Sequence, residues 1–364
     1  MSRKLKINIV LPFLNKNPGG GLKVMYQYAN ELAKNGHDVV IYHSMHTLKT
    51  HTERWFRKNK HIFFQKYLKL VRKRNPWWFH LDPAIKSFEI VQVDDLYIRD
   101  ADIIFCTWWA TAIEVESLSS AKGIKFNLIQ DYEAIMTPHI ELVHRSYQLK
   151  LHHIVISNYL TGIVESISNK KPPVIPNAID AEQFFIETAI EDRNPVSIGM
   201  LYADAERKGS IYGIEALKIV TAKYPALKVI LFGVYKHPIH AFPDTFEYHY
   251  MPDNVRDIYN QTSIFISPSI HEGWGLPPME AMACGCACVC TNIEGHLDFM
   301  IDGQTVLFVE PAKPEQMAEK IIDLIENNDL RLQLAKAANK HIQQFTWEKS
   351  CKRLETLFYN NLNG

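Results

Sequence analysis

A short apolar strand that ends in a Gly-Trp-Gly turn and runs straight into a two-proline helix leaves a chain few folds to choose from. Ser263–Ile266 reads as the strand, and Ser267 to Gly285, SPSIHEGWGLPPMEAMACG, supplies the turn and the helix. Pro277 and Pro278 suit a first helical turn, where a missing N–H has no partner to lose, and Gly285 suits the position just past a helix end. Ala287–Thr291 then reads as the next strand. The turn therefore lies at the carboxyl end of a strand, with the free N–H groups and positive dipole end of the helix aimed at whatever sits beside Glu272. A second carboxylate, Glu280, follows within the helix. An anionic ligand with sugar hydroxyls fits such a place.

The same alternation fills the chain. Residues 5–11 read as a buried strand, followed by the glycine-rich turn NKNPGGG, Asn15 to Gly21, a helix stopped at Gly36, and a strand Val39–Tyr42. Further strands are expected at Phe88–Val93, Ile103–Thr107, Phe126–Gln130 and Ile154–Ser157. The stiff passage PPVIPNAID, Pro172 to Asp180, marks the boundary to a second series: Val196–Met200, a helix Ile211–Lys223, Leu227–Phe232 and a short helix Val255–Asn260. Gly295–Pro311 reads as loop and hairpin-like strand, and helices follow at Pro314–Asn327, Leu330–Gln344 and after Trp347. The expected fold is α/β, in two domains of mostly parallel sheet with helices on both faces, as 364 residues allow.

Charge is balanced overall but uneven, since residues 41–80 carry a net +9. Trp55, Trp77, Trp78 and several phenylalanines interleave with those charges. Segment 47–79 reads either as a cationic amphipathic helix able to lie on an anionic membrane surface or as an ordinary solvated face. Neutral total charge and the absence of a binding motif argue against nucleic acid. Six cysteines, four of them between Cys284 and Cys290, do not make a disulfide framework. A small-residue core strand is one reading of that run and a metal site the other. No apolar run reaches the ~20 residues of a spanning helix, and the strand-like start points to the cytoplasm.

Polar residues at strand ends are the candidates for chemistry. Gly20 and Gly21 let backbone approach a phosphate or simply form a tight turn, Asp131 and Glu133 follow the strand Phe126–Gln130 either where ligands of such sheets bind or as helix caps or surface charges, and Ser157-Asn158 reads as a helix cap. Lys208, before Gly209 and a helix, can neutralise a phosphate as a point charge, or simply be solvated.

HEGWGLPPMEAMACG is similar to the signature of the retaining nucleotide-sugar glycosyltransferases of family 4, in which two glutamates in an E-x7-E spacing, here Glu272 and Glu280, flank an aromatic-Gly turn. PGGGLKVMYQYANELAKNGHDVVIY, VIPNAID, Arg207-Lys208-Gly209 and the closing FTW extend the resemblance through most of the chain. It implies a GT-B fold: two Rossmann-like doubly wound parallel-sheet domains facing across a cleft, with no metal or other cofactor. The acceptor-side domain would take residues 1–175 with a crossover helix 347–364, and the nucleotide-sugar domain 176–346.

By the same resemblance, Glu280 takes the two ribose hydroxyls, Glu272 stands beside the donor sugar, Lys208 meets the diphosphate, and Gly20 with Gly21 closes over the phosphates. Gly275 and Leu276, at the helix start, belong to the nucleotide site. The family's usual arginine after the first strand of the second domain is replaced by Met200, which leaves Arg207 as the nearest second cation. A histidine common at the end of the N-domain strand is replaced by QDYE, so Asp131 or Glu133 is expected at the sugar or acceptor. The expected activity is transfer of a sugar from a nucleotide-diphosphate sugar to a glycan or lipid-linked glycan. A nucleotide-sugar epimerase or hydrolase, or a non-catalytic sugar-nucleotide-binding protein, is the alternative.

Overall fold

A computed structural model describes residues 3–45 and 72–362. The chain divides into two compact units, Met1–Pro176 with Trp347–Gly364, and Asn177–Thr346.

In the first unit β1 (Lys6–Leu11), β2 (Asp38–Ser44), β4 (Lys86–Ile90), β5 (Ile103–Thr107), β6 (Ile124–Ile129) and β7 (His152–Val155) run parallel, and the two-residue β3 (Arg72–Lys73) pairs antiparallel at the edge. The order is β3-β4-β2-β1-β5-β6-β7. Helices α1 (Gly20–Lys34), α2 (Trp109–Glu116), α3 (Ile140–Tyr147) and α4 (Asn158–Ser168) connect these strands. Central strands are covered on both faces, which is why β1 and β5 read as unbroken apolar runs. Asn8 breaks the run in β1 and is buried, but its amide donates to Arg99 O at 2.7 Å and accepts from Arg99 Nε at 3.2 Å. The chain builds outward from β1 on one side, then returns to add β5, β6 and β7 on the other, so the order of strands reverses between β1 and β5.

In the second unit β8 (Ser197–Leu201), β9 (Lys228–Gly233), β10 (Glu247–Tyr250), β11 (Ile264–Ser267), β12 (Ala287–Thr291) and β13 (Leu307–Val309) form a parallel sheet in the order β10-β9-β8-β11-β12-β13. The reversal here falls between β8 and β11. Helices α5 (Ser210–Lys223), α6 (Val255–Gln261), α7 (Leu276–Ala283), α8 (Glu294–Leu297), α9 (Pro314–Glu326) and α10 (Asn328–Ile342) connect and cover it.

One expectation is corrected, and one strand is added. The segment Gly295–Pro311 is no hairpin: it holds part of α8 and then β13, which pairs parallel with β12 through Val289↔Leu307. Apolar alternation shows a strand but not which neighbour it takes. The strand β10 was missed because EYHY lies at a half-exposed edge and carries no apolar face. The cysteine run behaves as small core residues, with Cys284, Cys286, Cys288 and Cys290 fully buried.

The last helix, α11 (Trp347–Leu362), belongs to the first unit. Trp347 meets Tyr28 edge-on at 5.2 Å, and Phe358 packs against Phe105 and Phe126 at 5.8 and 4.7 Å. Glu355 of α11 pairs with His37 Nε2 at 2.7 Å.

Most of the basic segment 47–79 lies outside the described residues. Two tryptophans at its end brace the turn before α1, where the Trp77 and Trp78 indoles donate to Lys16 O and Asn15 O at 2.8 and 3.2 Å. Among the described residues no helix is long and apolar enough to cross a membrane.

Candidate active site

In an open parallel sheet the crevice where strand order reverses is formed by loops that diverge, so ligands gather at the carboxyl ends of those strands. In the second unit these are β8 and β11, paired through Gly199↔Phe265. Their following loops are tied by backbone, since Ile270 N and His271 N both donate to Arg207 O, at 2.8 and 3.2 Å. Gly209, at φ +61°, lets α5 start flush against the other loop: a Cβ there would lie 2.0 Å from Pro268 O. That close approach sets Lys208 beside Glu272.

Glu272 is the centre of the site. Lys208 Nζ lies 2.5 Å from its Oε1, Ser269 Oγ donates to the same oxygen at 2.9 Å, and Arg207 Nη1 stands 3.7 Å from Oε2. Burial pushes the Glu272 carboxyl up, but Lys208 and then Arg207 outweigh it and hold the group below the ordinary carboxylate range. Glu272 and Lys208 thus share a cleft of about 250 Å³, its mouth included, lined also by Leu201, Ser267 and Pro277. The structure joins Glu272, Lys208 and Arg207 in one cluster, with Arg207 reaching in from the position the sequence suggested.

Gly275, at φ +109°, caps α7, and Leu276 is its first residue, so both stand at the end whose N–H groups lack helical partners. Glu280 sits one turn further along, buried, and accepts from the buried Tyr259 hydroxyl at 3.0 Å. Burial, followed by the Glu280 charge, pushes the Tyr259 phenol well above its ordinary range, so it remains a donor.

Two residues of this site escaped the sequence reading. His296 Nδ1 lies 2.8 Å from Thr291 O; a carbonyl only accepts, so the ring proton is on Nδ1 and Nε2 is an acceptor. That Nε2 is buried without a hydrogen-bond partner, beneath Gly275. Arg193 is buried below the helices, donating to Cys284 O at 2.6 Å, at the end of α7, and to Tyr259 O and Thr262 O at 3.3 and 3.2 Å, at the end of α6. A lone histidine or arginine in a loop carries no periodic signal.

The remaining candidates lie in the first unit. Gly20 and Gly21 open α1, with Gln130 Nε2 donating to Gly21 O at 3.0 Å. Asp131, half-buried, takes the Tyr132 N–H on its Oδ1 at 2.9 Å. Glu133 is buried and accepts the Trp109 N–H at 2.8 Å, at the start of α2. Burial pushes its carboxyl up to about 8, opposed by that hydrogen bond and aided by Asp131. Of the pair offered for contact with sugar, Glu133 is thus engaged inside the fold. Ser157 does cap α4, accepting from Leu160 N at 3.4 Å.

Comparison with known proteins agrees with this geometry. Residues 182–341, nearly the whole second unit, match the family described as glycosyl transferases group 1. A D-inositol 3-phosphate glycosyltransferase of Corynebacterium urealyticum is 30% identical over 107 residues, 29% of this chain and 25% of that protein, so the match spans about a quarter of the curated relative. Among solved structures, sucrose-phosphate synthase from Thermosynechococcus elongatus aligns with a TM-score of 0.74 at 14% identity, covering 98% of this chain and 99% of that one. Anabaena HepE in complex with UDP-glucose aligns at 0.70 and 14% identity, covering 96% and 99%. These likenesses establish the GT-B fold, and over residues 182–341 the second unit matches the family of glycosyl transferases group 1.

Proposed function

We propose that the chain is a retaining glycosyltransferase that moves a sugar from a nucleotide-diphosphate sugar to a glycan or lipid-linked glycan. One observation carries the reading: Glu272 is buried yet held ionised by Lys208 and Arg207 at the switch point of the second sheet. A donor with a diphosphate and a neutral sugar has the matching chemistry. Its phosphates take the two cations, and a sugar hydroxyl takes the carboxylate that the cations partly leave. Glu280, fixed by Tyr259, offers its carboxylate to the vicinal hydroxyls of the ribose, which a buried polar ligand requires. HepE, whose structure was solved with UDP-glucose, has the same fold and supports this donor class.

In the reaction the bond from the anomeric carbon to the phosphate oxygen breaks and a bond to the acceptor oxygen forms on the same face. The acceptor proton passes to the departing phosphate. Negative charge grows on the diphosphate as it leaves, so Lys208, Arg207 and the N–H groups at Gly275 and Leu276 stabilise the transition state more than the ground state. Gly20 and Gly21 offer an anion further backbone N–H groups, and Asp131 is assigned to the sugar or acceptor.

The test is nucleoside diphosphate release from UDP-, GDP- and dTDP-sugars with and without acceptor. Glu280→Ala raises the donor KM, and Glu272→Ala lowers kcat by about 100-fold or more. Full activity in both variants ends the proposal. The net +9 of residues 41–80 further suggests docking on an anionic membrane near a lipid-linked acceptor. Binding to phosphatidylserine vesicles should then weaken as salt rises, and no binding at low salt refutes it.

A further inference from the structure

The first unit has a switch point of its own, between β1 and β5, and its lining differs in chemistry from that of the second. Phe13 follows β1 and is 49% exposed. Trp108 follows β5, half-buried, and meets Phe13 at 6.3 Å with the rings 81° apart. Two rings at a right angle make an apolar corner, open on the Phe13 side. Trp108 stands at φ 75° and ψ 132°, a conformation that a bulky side chain rarely adopts and that persists only where the surroundings enforce it. The enforcement is visible: Glu133 holds the Trp109 N–H at 2.8 Å, and Thr107 Oγ1 donates to Leu128 O at 2.8 Å. The backbone is bent to present this ring.

A polar group of determined orientation stands beside the corner. Thr107 has given its only proton to Leu128 O, so its oxygen must accept from Gln130, at 2.9 Å. Gly21 O, also at hydrogen-bond distance from Gln130, can likewise only accept. Both contacts therefore fall to the amide nitrogen, and Gln130 Oε1 is turned away with no protein partner among the described residues. It is an acceptor that can serve only a donor such as a hydroxyl. The side chains gathered here, Phe13, Trp108, Gln130, Asp131 and Glu133, include no cation.

We propose that the first unit's switch point is a subsite for an uncharged saccharide ring, its C–H face packed in the corner of Phe13 and Trp108 and one ring hydroxyl donated to Gln130 Oε1. A pyranose has an apolar face and a hydroxyl rim, which such a corner and acceptor match. A phosphorylated ring finds the Asp131 carboxylate in place of a cation. This rests on the transferase reading, since it makes that saccharide the acceptor, and it separates this chain from the relative whose name specifies inositol 3-phosphate.

The test is binding to the full chain without donor, read by saturation-transfer NMR and tryptophan emission. The probes are maltotriose, cellotriose, chitotriose and mannotriose against glucose 6-phosphate and inositol 3-phosphate. At least one neutral trisaccharide should bind and both phosphorylated rings should not. Phe13→Ala and Gln130→Met should each weaken binding by about tenfold. Trp108→Gly should weaken it as much while the circular dichroism of the folded protein is retained, because glycine tolerates that backbone. Preference for the phosphorylated rings, binding of no neutral trisaccharide, or Phe13→Ala and Gln130→Met variants within about twofold of wild type overturns the subsite. Donor turnover measured separately keeps the two readings apart: saccharide binding without turnover of any donor sinks the transferase, and turnover without saccharide binding sinks the subsite.

Discussion

Two buried glutamates in this chain have opposite electrostatic fates, and both can be measured. Glu272 keeps its charge because Lys208 and Arg207 outweigh its burial, so its folded carboxyl titrates below the unfolded value. The stability it contributes is therefore present above the unfolded carboxylate range and is lost as pH falls through the folded value. Lys208→Met leaves a buried carboxylate short of its main partner and should lower the melting temperature at pH 8, with the deficit shrinking toward pH 4 as Glu272 protonates. Glu133 is the reverse case. Its folded value is about 8, so it folds as the neutral acid and destabilises the fold progressively as pH rises from the unfolded value through 8. Glu133→Gln keeps an acceptor for the Trp109 N–H without the charge. It should raise the melting temperature at pH 9 by several degrees, at roughly 2–4 °C per kcal/mol, and change little at pH 5. At this scale the sequence was legible where residue type and spacing coincide. Glu272 and Glu280 announce themselves by flanking a turn and helix start, and Lys208 by preceding Gly209. His296 and Arg193 were not, because what distinguishes them is long-range burial.

The helices that carry the site are held from beneath by Arg193. Its guanidinium lies at the carboxyl ends of both α6 and α7, where carbonyls lack helical partners and a cation is favoured. Through Tyr259 this also fixes Glu280. Arg193→Met orphans several buried carbonyls and should cost about 3 kcal/mol or more, read by chemical denaturation. It should also raise the donor KM while a surface arginine change does neither. Most elements could be read from the sequence, and β5 and β12 fall on the bounds that their apolar runs indicate. Failures came where an element depends on a partner. β13 is three residues whose pairing is decided by β12, and β10 is an edge strand whose side chains remain half-solvated.

At the level of the whole molecule, each unit is a mostly parallel sheet whose strand order reverses near its centre, and each reversal gathers loops at the carboxyl ends. The alternation of strand, turn and helix made this doubly wound class legible, since parallel strands need such crossovers. The chain leaves the first unit near Pro176 and returns at Trp347, so its last helix completes a core begun hundreds of residues earlier. Ending the chain at Thr346 strips Trp347 from Tyr28 and Phe358 from Phe105 and Phe126. The shortened protein should melt in two steps, with the first unit going earlier, as seen by calorimetry.

The cysteines of β12 and its approach turn the interior of the second sheet into a clock. Burial pushes the Cys286 thiol up to about 12, against the pull of Arg193, and its neighbours are equally enclosed. A thiol so placed is both protonated and unreachable, so iodoacetamide can mark it only while the sheet is open. The rate of marking then counts openings, and a nucleotide that binds the closed form slows it in proportion to its occupancy. Candidate donors can in this way be ranked by mass spectrometry on the unaltered protein, before any acceptor is known.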